Sequence, residues 1–155
     1  MTVTAALYAT LVIVLAPISF GPVQLRVADC LIPLSAIFGW PAVLGVSLGA
    51  LIGNAYYWLG PLDVVLGPVA NLLSASLILI LRRRLFIACF AGSIAVGVIV
   101  GSYLWVYFPP PELGFVKLPL WAAMVLSITI SSIIAIAVIG YAIIKTLVTH
   151  NFTRV

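Results

Sequence analysis

Charge is what this chain has least of. Among 155 residues there are seven Lys and Arg, three Asp and Glu and one His, so charged side chains make up only 6% of the sequence. A soluble domain wets its surface with about a quarter charged residues. This chain cannot do so. With 65% hydrophobic residues and a mean hydropathy of +1.36, it reads as an all-α integral membrane protein whose solvent is lipid. A single transmembrane domain over residues 1–155 is expected, because a chain of this length leaves no room for a second core.

Other absences exclude chemistries. No G-x-x-x-x-G-K-[ST] occurs, so the chain does not hydrolyse ATP through a P-loop. The only histidine, His150, lies in a polar tail with no carboxylate or thiol cluster beside it, which removes His-based metal sites and catalytic triads. No metal, no cofactor and no enzyme activity are expected. Cys30 and Cys89 both fall in apolar runs and form neither a disulfide framework nor a zinc site. No basic region precedes the first apolar run and no small-x-small cleavage site follows it, so residues 1–20 read as a spanning helix rather than a signal peptide. Arg82, Arg83 and Arg84 sit between two apolar segments. That is a topology signal, not a nucleic-acid stripe, and no nucleic-acid partner is expected. The sequon Asn151-Phe152-Thr153 falls on the side assigned below to the cytoplasm and carries no weight.

What is present is a run of apolar segments cut by Pro, Gly and charge. They cover roughly 4–19, 26–38, 41–59, 63–81, 85–108 and 119–147, and a span needs about 20 residues. The expectation is six transmembrane helices in a compact bundle. The second segment is short and carries Pro33, so it is tilted, broken or incomplete as a crossing. Six crossings put both termini on one side with the Arg triplet, Lys145 and Arg154. By the positive-inside rule that side is the cytoplasm. The other side receives Asp29, Asp63 and Glu112, together with Arg26 and Lys117. The loop holding Glu112 and Lys117 is a lid or, more simply, a stiff solvated connector.

Small residues recur every four positions at Gly45, Gly49 and Gly53, at Ser93, Gly97 and Gly101, and at Ser127, Ser131 and Ala135. Such stripes let helices approach closely in lipid. A cavity can use the same faces, but packing is the simpler reading.

The polar residues of the outer side are the candidates for function. Arg26 and Asp29 are three apart and pair if the second segment is helical there; alternatively one of them meets a ligand, as charges facing a bundle interior commonly do. Asp63 follows Gly60-Pro61 and either caps the fourth helix or faces a pocket. Asp63, Gly67 and Asn71 make an i, i+4, i+8 stripe, which Asn54 and Tyr57 extend as candidate pocket residues. Tyr56, Tyr57 and Trp58 belong to an interfacial belt, or one or two of them stack on a ligand.

Two stretches, "APISFGPVQLRVADCLIPL" and "GVSLGALIGNAYYWLGPLDVVLGPVANLLSASL", resemble the substrate-binding subunits of energy-coupling-factor (ECF) transporters, and in particular the queuosine-precursor transporter (QueT) family. The matching elements are Ile18 to Val27, then Gly49-Gly53-Asn54 and Gly60-Asp63-Gly67, and the likeness covers about residues 4–82. The family pattern has Ser-Glu where this chain has Ala28-Asp29, a carboxylate one methylene shorter. The resemblance implies a six-helix subunit of the plasma membrane that captures a 7-deazaguanine outside the cell, docked on a membrane scaffold (T) subunit and two ATPase (A) subunits encoded elsewhere. It further implies substrate contacts by Gln24, Arg26, Asp29, Asn54, Tyr57, Trp58, Asp63 and Asn71, and scaffold docking through Ala5 and Ala9 on the first helix, where ordinary packing is the alternative. Rival readings are a subunit of the same architecture for another vitamin-like solute, a non-transporting scaffold or assembly protein, and a membrane enzyme.

Overall fold

Glycine decides how the first long helices meet. The computed structural model describes residues 1–19, 26–107 and 119–149, and among them the chain is helical throughout, without strands. The elements are α1 (Thr2–Val14), α2 (Ala16–Ser19), a 3₁₀ segment (Val27–Leu34) running into α3 (Ser35–Phe38), α4 (Trp40–Tyr57), α5 (Pro61–Ile80), a 3₁₀ turn (Arg82–Arg84), α6 (Leu85–Leu104), α7 (Leu120–Ser132), a π-helical stretch (Ile133–Gly140) and α8 (Tyr141–Thr149). A Cβ added at Gly45 would strike Thr4, one at Gly49 would strike Ala5 and Tyr8, and one at Gly53 would strike Val12. Both sets of numbers rise together, so α1 and α4 lie parallel. The i, i+4, i+8 glycine stripe is therefore a packing seam, as expected of small residues in lipid.

The long helices that follow one another in the chain, α4 to α7, are antiparallel. Asn54 of α4 reaches the backbone of Asp63, and Ser47 donates to the Pro68 carbonyl at 3.0 Å. Tyr103 of α6 reaches Asp63, while Gly92 faces Ser74 and Ile78. Gly97 and Gly101 face Thr129 and Val125 of α7. The second glycine stripe is thus also a seam.

Between the parallel helices α1 and α4 the chain must return, and residues 27–38 do this. Pro33 lacks the N–H an α-helix would use, and its ring would crowd the carbonyl four residues back, so the chain winds as a 3₁₀ helix before α3. The segment descends beside α5, from Arg26 at Asp63 to Ser35 at the Ala75 carbonyl. Eight residues at about 2.0 Å and four at about 1.5 Å reach only about 22 Å, against about 30 Å of hydrocarbon. Its far side packs on the π-helical stretch, where Gly140 touches Pro33 and the Cys30 carbonyl.

Among the described residues, three helices are long and apolar enough to cross a membrane by themselves, at Pro61–Ile80, Arg82–Leu104 and Leu120–Thr149. Thr2–Val14 and Val27–Phe38 are shorter apolar helices. Their outward faces are apolar too: Val3, Leu7, Leu44, Leu48, Val65, Val69, Ile94 and Val98 are exposed. Only lipid wets such a surface favourably, and the protein is a membrane protein.

Candidate ligand-binding site

The buried polar residues converge at one end of the bundle, where α5 begins. Pro61 starts that helix after Gly60, which leaves Asp63 inside the first turn with its side chain turned into the bundle rather than capping the helix. The capping alternative is therefore corrected. Asp63 is fully buried, and its Oδ1 accepts from Arg26 Nη2 at 3.0 Å and from the Tyr103 hydroxyl at 2.9 Å. Asn54 is also buried, and its Nδ2 donates to the Asp63 carbonyl at 2.9 Å.

Arg26 thus pairs with a carboxylate 37 residues away, not with Asp29. The reason is local. Arg26 sits just before the 3₁₀ segment with φ −75° and ψ 83°, outside helical geometry, so it does not share a helix face with Asp29.

Asp29 has its own partners. The Tyr8 hydroxyl donates to Asp29 Oδ1 at 2.5 Å, and Asn71 Nδ2 donates to the same hydroxyl at 2.7 Å. All three residues are buried. The phenol passes a hydrogen bond from α5 to the 3₁₀ segment, so Asn71 acts on Asp29 through α1. Gly67 makes room for this arrangement: a Cβ there would overlap the Asn54 amide nitrogen and lie 3.6 Å from Arg26 Nη1. Gly67→Ala is accordingly expected to cost about 1–3 kcal/mol, the range for overpacking a filled interior, read as a lowered unfolding midpoint of the purified protein in detergent.

Two features leave the site incomplete. Asn54 Oδ1 and Asp63 Oδ2 are buried acceptors that receive no hydrogen bond among the described residues, and such groups in a native interior call for a reason. Two buried carboxylates, Asp29 and Asp63, also lie with a single guanidinium in this cluster. Beside it lies a cavity of about 10 Å³, lined by Arg26 and Asp29, by Val96 and Val100 of α6, and by Ile128, Ser131 and Ser132 of α7. That volume admits at most about one water, so the site is closed in this conformation.

The structure brings together Arg26, Asp29, Asn54, Asp63 and Asn71 from the residues singled out in the sequence. Tyr57 and Trp58 stand apart from them. Trp58 is 64% exposed just past α4, with φ +25°, and Tyr57 packs edge-on against Tyr56 with ring centroids 5.6 Å apart. Neither lines the cavity. Gln24 lies outside the described residues, as do Glu112, Lys117 and His150. Ala5 and Ala9 are buried inside the bundle, 8% and 7% exposed, in the packing role. Tyr8 and Tyr103 were not foreseen. Tyr8 shares a helix face with Ala5 and Val12, which carry no polar atom, so only the glycine seam opposite could have marked it as inward.

The QueT transporter family matches residues 1–149. The chain belongs to this family. None of the curated proteins and none of the solved structures matches. The buried cluster is the group of charged residues that the described helices of this QueT-family chain enclose. The match also extends past the likeness seen in the sequence, which ended near residue 82, and takes in α6 and α7, whose valines and serines wall the cavity.

Proposed function

We propose that this protein is the substrate-capture subunit of an ECF-type importer and that it binds a queuosine precursor, a 7-deazaguanine, at the Arg26–Asp29–Asp63 cluster. The observation that carries the reading is the pair of buried acceptors without a donor among the described residues, Asp63 Oδ2 and Asn54 Oδ1, beside two carboxylates that share one guanidinium. A guanine-like edge presents adjacent N–H donors, which a carboxylate accepts as a pair. An aminomethyl substituent would bring a positive charge to the second carboxylate. Wrong bases would leave these acceptors unpaired in a dry interior, and that penalty gives selectivity.

In this reading both termini are cytoplasmic, the chain makes six passes and the site opens outward at the plasma membrane. The subunit carries no nucleotide chemistry of its own and docks on a T subunit and two A subunits, which supply ATP-driven reorientation. Docking along α1 would use its exposed small residues Thr2, Ala6 and Thr10, since Ala5 and Ala9 point inward.

The cavity must grow to admit a bicyclic base, so binding is coupled to movement of the segment carrying Arg26 and Asp29 against α6 and α7. Titration of the purified protein with 7-aminomethyl-7-deazaguanine, followed by calorimetry, tests the reading. Saturable binding is expected, with guanine and a vitamin such as riboflavin giving none. Binding of the vitamin alone would overturn the ligand assignment. Undiminished binding in both Asp29→Asn and Asp63→Asn would overturn the site.

A further inference from the structure

The opposite end of the molecule carries a second feature that the transport reading does not use. Arg82, Arg83 and Arg84 form a tight 3₁₀ turn between α5 and α6, and all three are exposed. Neither described carboxylate is near them: Asp29 and Asp63 are both buried in the cluster at the start of α5, about nineteen residues of helix away. Arg82 and Arg83 border an open groove of about 730 Å³ whose other walls are Gly39, Trp40, Leu79 and Ile80. Arg84 does not line it.

The groove has two chemistries side by side. Two guanidiniums stand on one rim, each a planar fork suited to a phosphate. The apolar part of the floor is Trp40, Leu79 and Ile80, and Phe38, Leu81 and Phe86, close to them in sequence, are exposed as well. Trp40 is 58% exposed at the groove, with an apolar ring and one N–H, the composition of an interfacial anchor. A small anion would use only the arginines and gain nothing from the floor. A ligand with a phosphodiester head and acyl chains uses both.

We infer that the Arg82–Arg83–Trp40 groove is a binding site for an anionic phospholipid. The head group bridges the two guanidiniums, and the acyl chains run along Leu79, Ile80 and the exposed aromatic rings beside them. The site differs from a diffuse basic belt in naming Arg82 and Arg83 but not Arg84. Basic pockets between membrane helices hold such head groups, each basic residue near the surface contributing about 1 kcal/mol.

The test uses the full chain purified in a neutral detergent, with phosphatidylglycerol added in mixed micelles and lipid retention measured by native mass spectrometry. Retention of discrete phosphatidylglycerol adducts is expected, with far weaker adducts from phosphatidylcholine. Arg82→Gln with Arg83→Gln should weaken phosphatidylglycerol binding roughly thirtyfold, and each single change roughly fivefold. Arg84→Gln should leave it within about twofold. Trp40→Ala should weaken retention with no charge altered. Arg84 and Lys145 remain in the double variant to hold the orientation, and an unchanged melting point without added lipid confirms its fold; if it does not purify, the single variants decide. Equal losses from Arg84→Gln and Arg83→Gln would overturn the site in favour of diffuse charge. Inorganic phosphate displacing the lipid at equal concentration would show that the floor contributes nothing and would overturn the lipid assignment.

Discussion

Asp63→Asn is expected to weaken ligand capture about a hundredfold and to lower stability by about 3–5 kcal/mol. The carboxylate is fully buried and is the partner of Arg26 at 3.0 Å. An amide is nearly isosteric, so no cavity forms, yet the guanidinium is left in a dry interior without that counter-charge, the situation in which breaking a buried pair costs most. The same change removes the acceptor Oδ2 that the ligand is proposed to meet. Losing a desolvated charged hydrogen bond costs about 3 kcal/mol, or about a hundredfold in affinity. The two effects separate in the double variant Arg26→Gln, Asp63→Asn. Without either charge, part of the stability should return, Asp29 still lacking the guanidinium, while binding should not. Unfolding in detergent and calorimetric titration of all three variants make the comparison. Recovery of binding together with stability would assign Asp63 a purely structural role.

Gly49→Leu is expected to yield no folded protein. A Cβ at this position would sit 2.7 Å from the Ala5 carbonyl oxygen and 2.7 Å from Tyr8 Cβ. The first is backbone, so α1 itself must move, and a leucine adds three further carbons in the same direction. The parallel contact of α1 and α4 has no other way to form, and losses above about 4–5 kcal/mol come from such clashes. Displacing α1 also withdraws the Tyr8 hydroxyl from Asp29 and Asn71, so packing and site fail together. Leu48→Ala, one residue away on an exposed face, should change stability by no more than about 0.5 kcal/mol. Yield of monodisperse protein in size-exclusion chromatography distinguishes the two.

Composition and punctuation made the helical membrane character legible, because lipid punishes unpaired polar backbone regardless of detail. The glycine stripes likewise gave the packing seams at Gly45–Gly53 and at Gly97–Gly101. Asp29, Asn54, Asp63 and Asn71 were legible as a group because a polar residue is conspicuous in an apolar chain. Their pairing was not. Arg26 chose a partner 37 positions distant over one three positions distant, and that choice depends on its backbone leaving helical geometry just before the 3₁₀ segment. Tyr57 and Trp58 drew attention as aromatics next to polar residues, but sequence proximity does not say which way a helix end faces. Tyr8 and Tyr103 carry no sequence signal for the opposite reason, as lone hydroxyls within apolar runs.

The brief segment between α1 and α4 bears on how the chain is made. Arg26 and Asp29 leave the ribosome before Asp63 does, 37 residues earlier in the case of Arg26. At about 5–20 residues per second that is an interval of about 2–7 seconds. During it the guanidinium has no Asp63 to meet, and the stretch that follows it is too short to hold a place in the bilayer alone. Newly made chains should therefore keep residues 26–38 at the membrane surface until α5 arrives, and biogenesis, more than the finished fold, would then be the stage most sensitive to the spacing between Arg26 and Asp63.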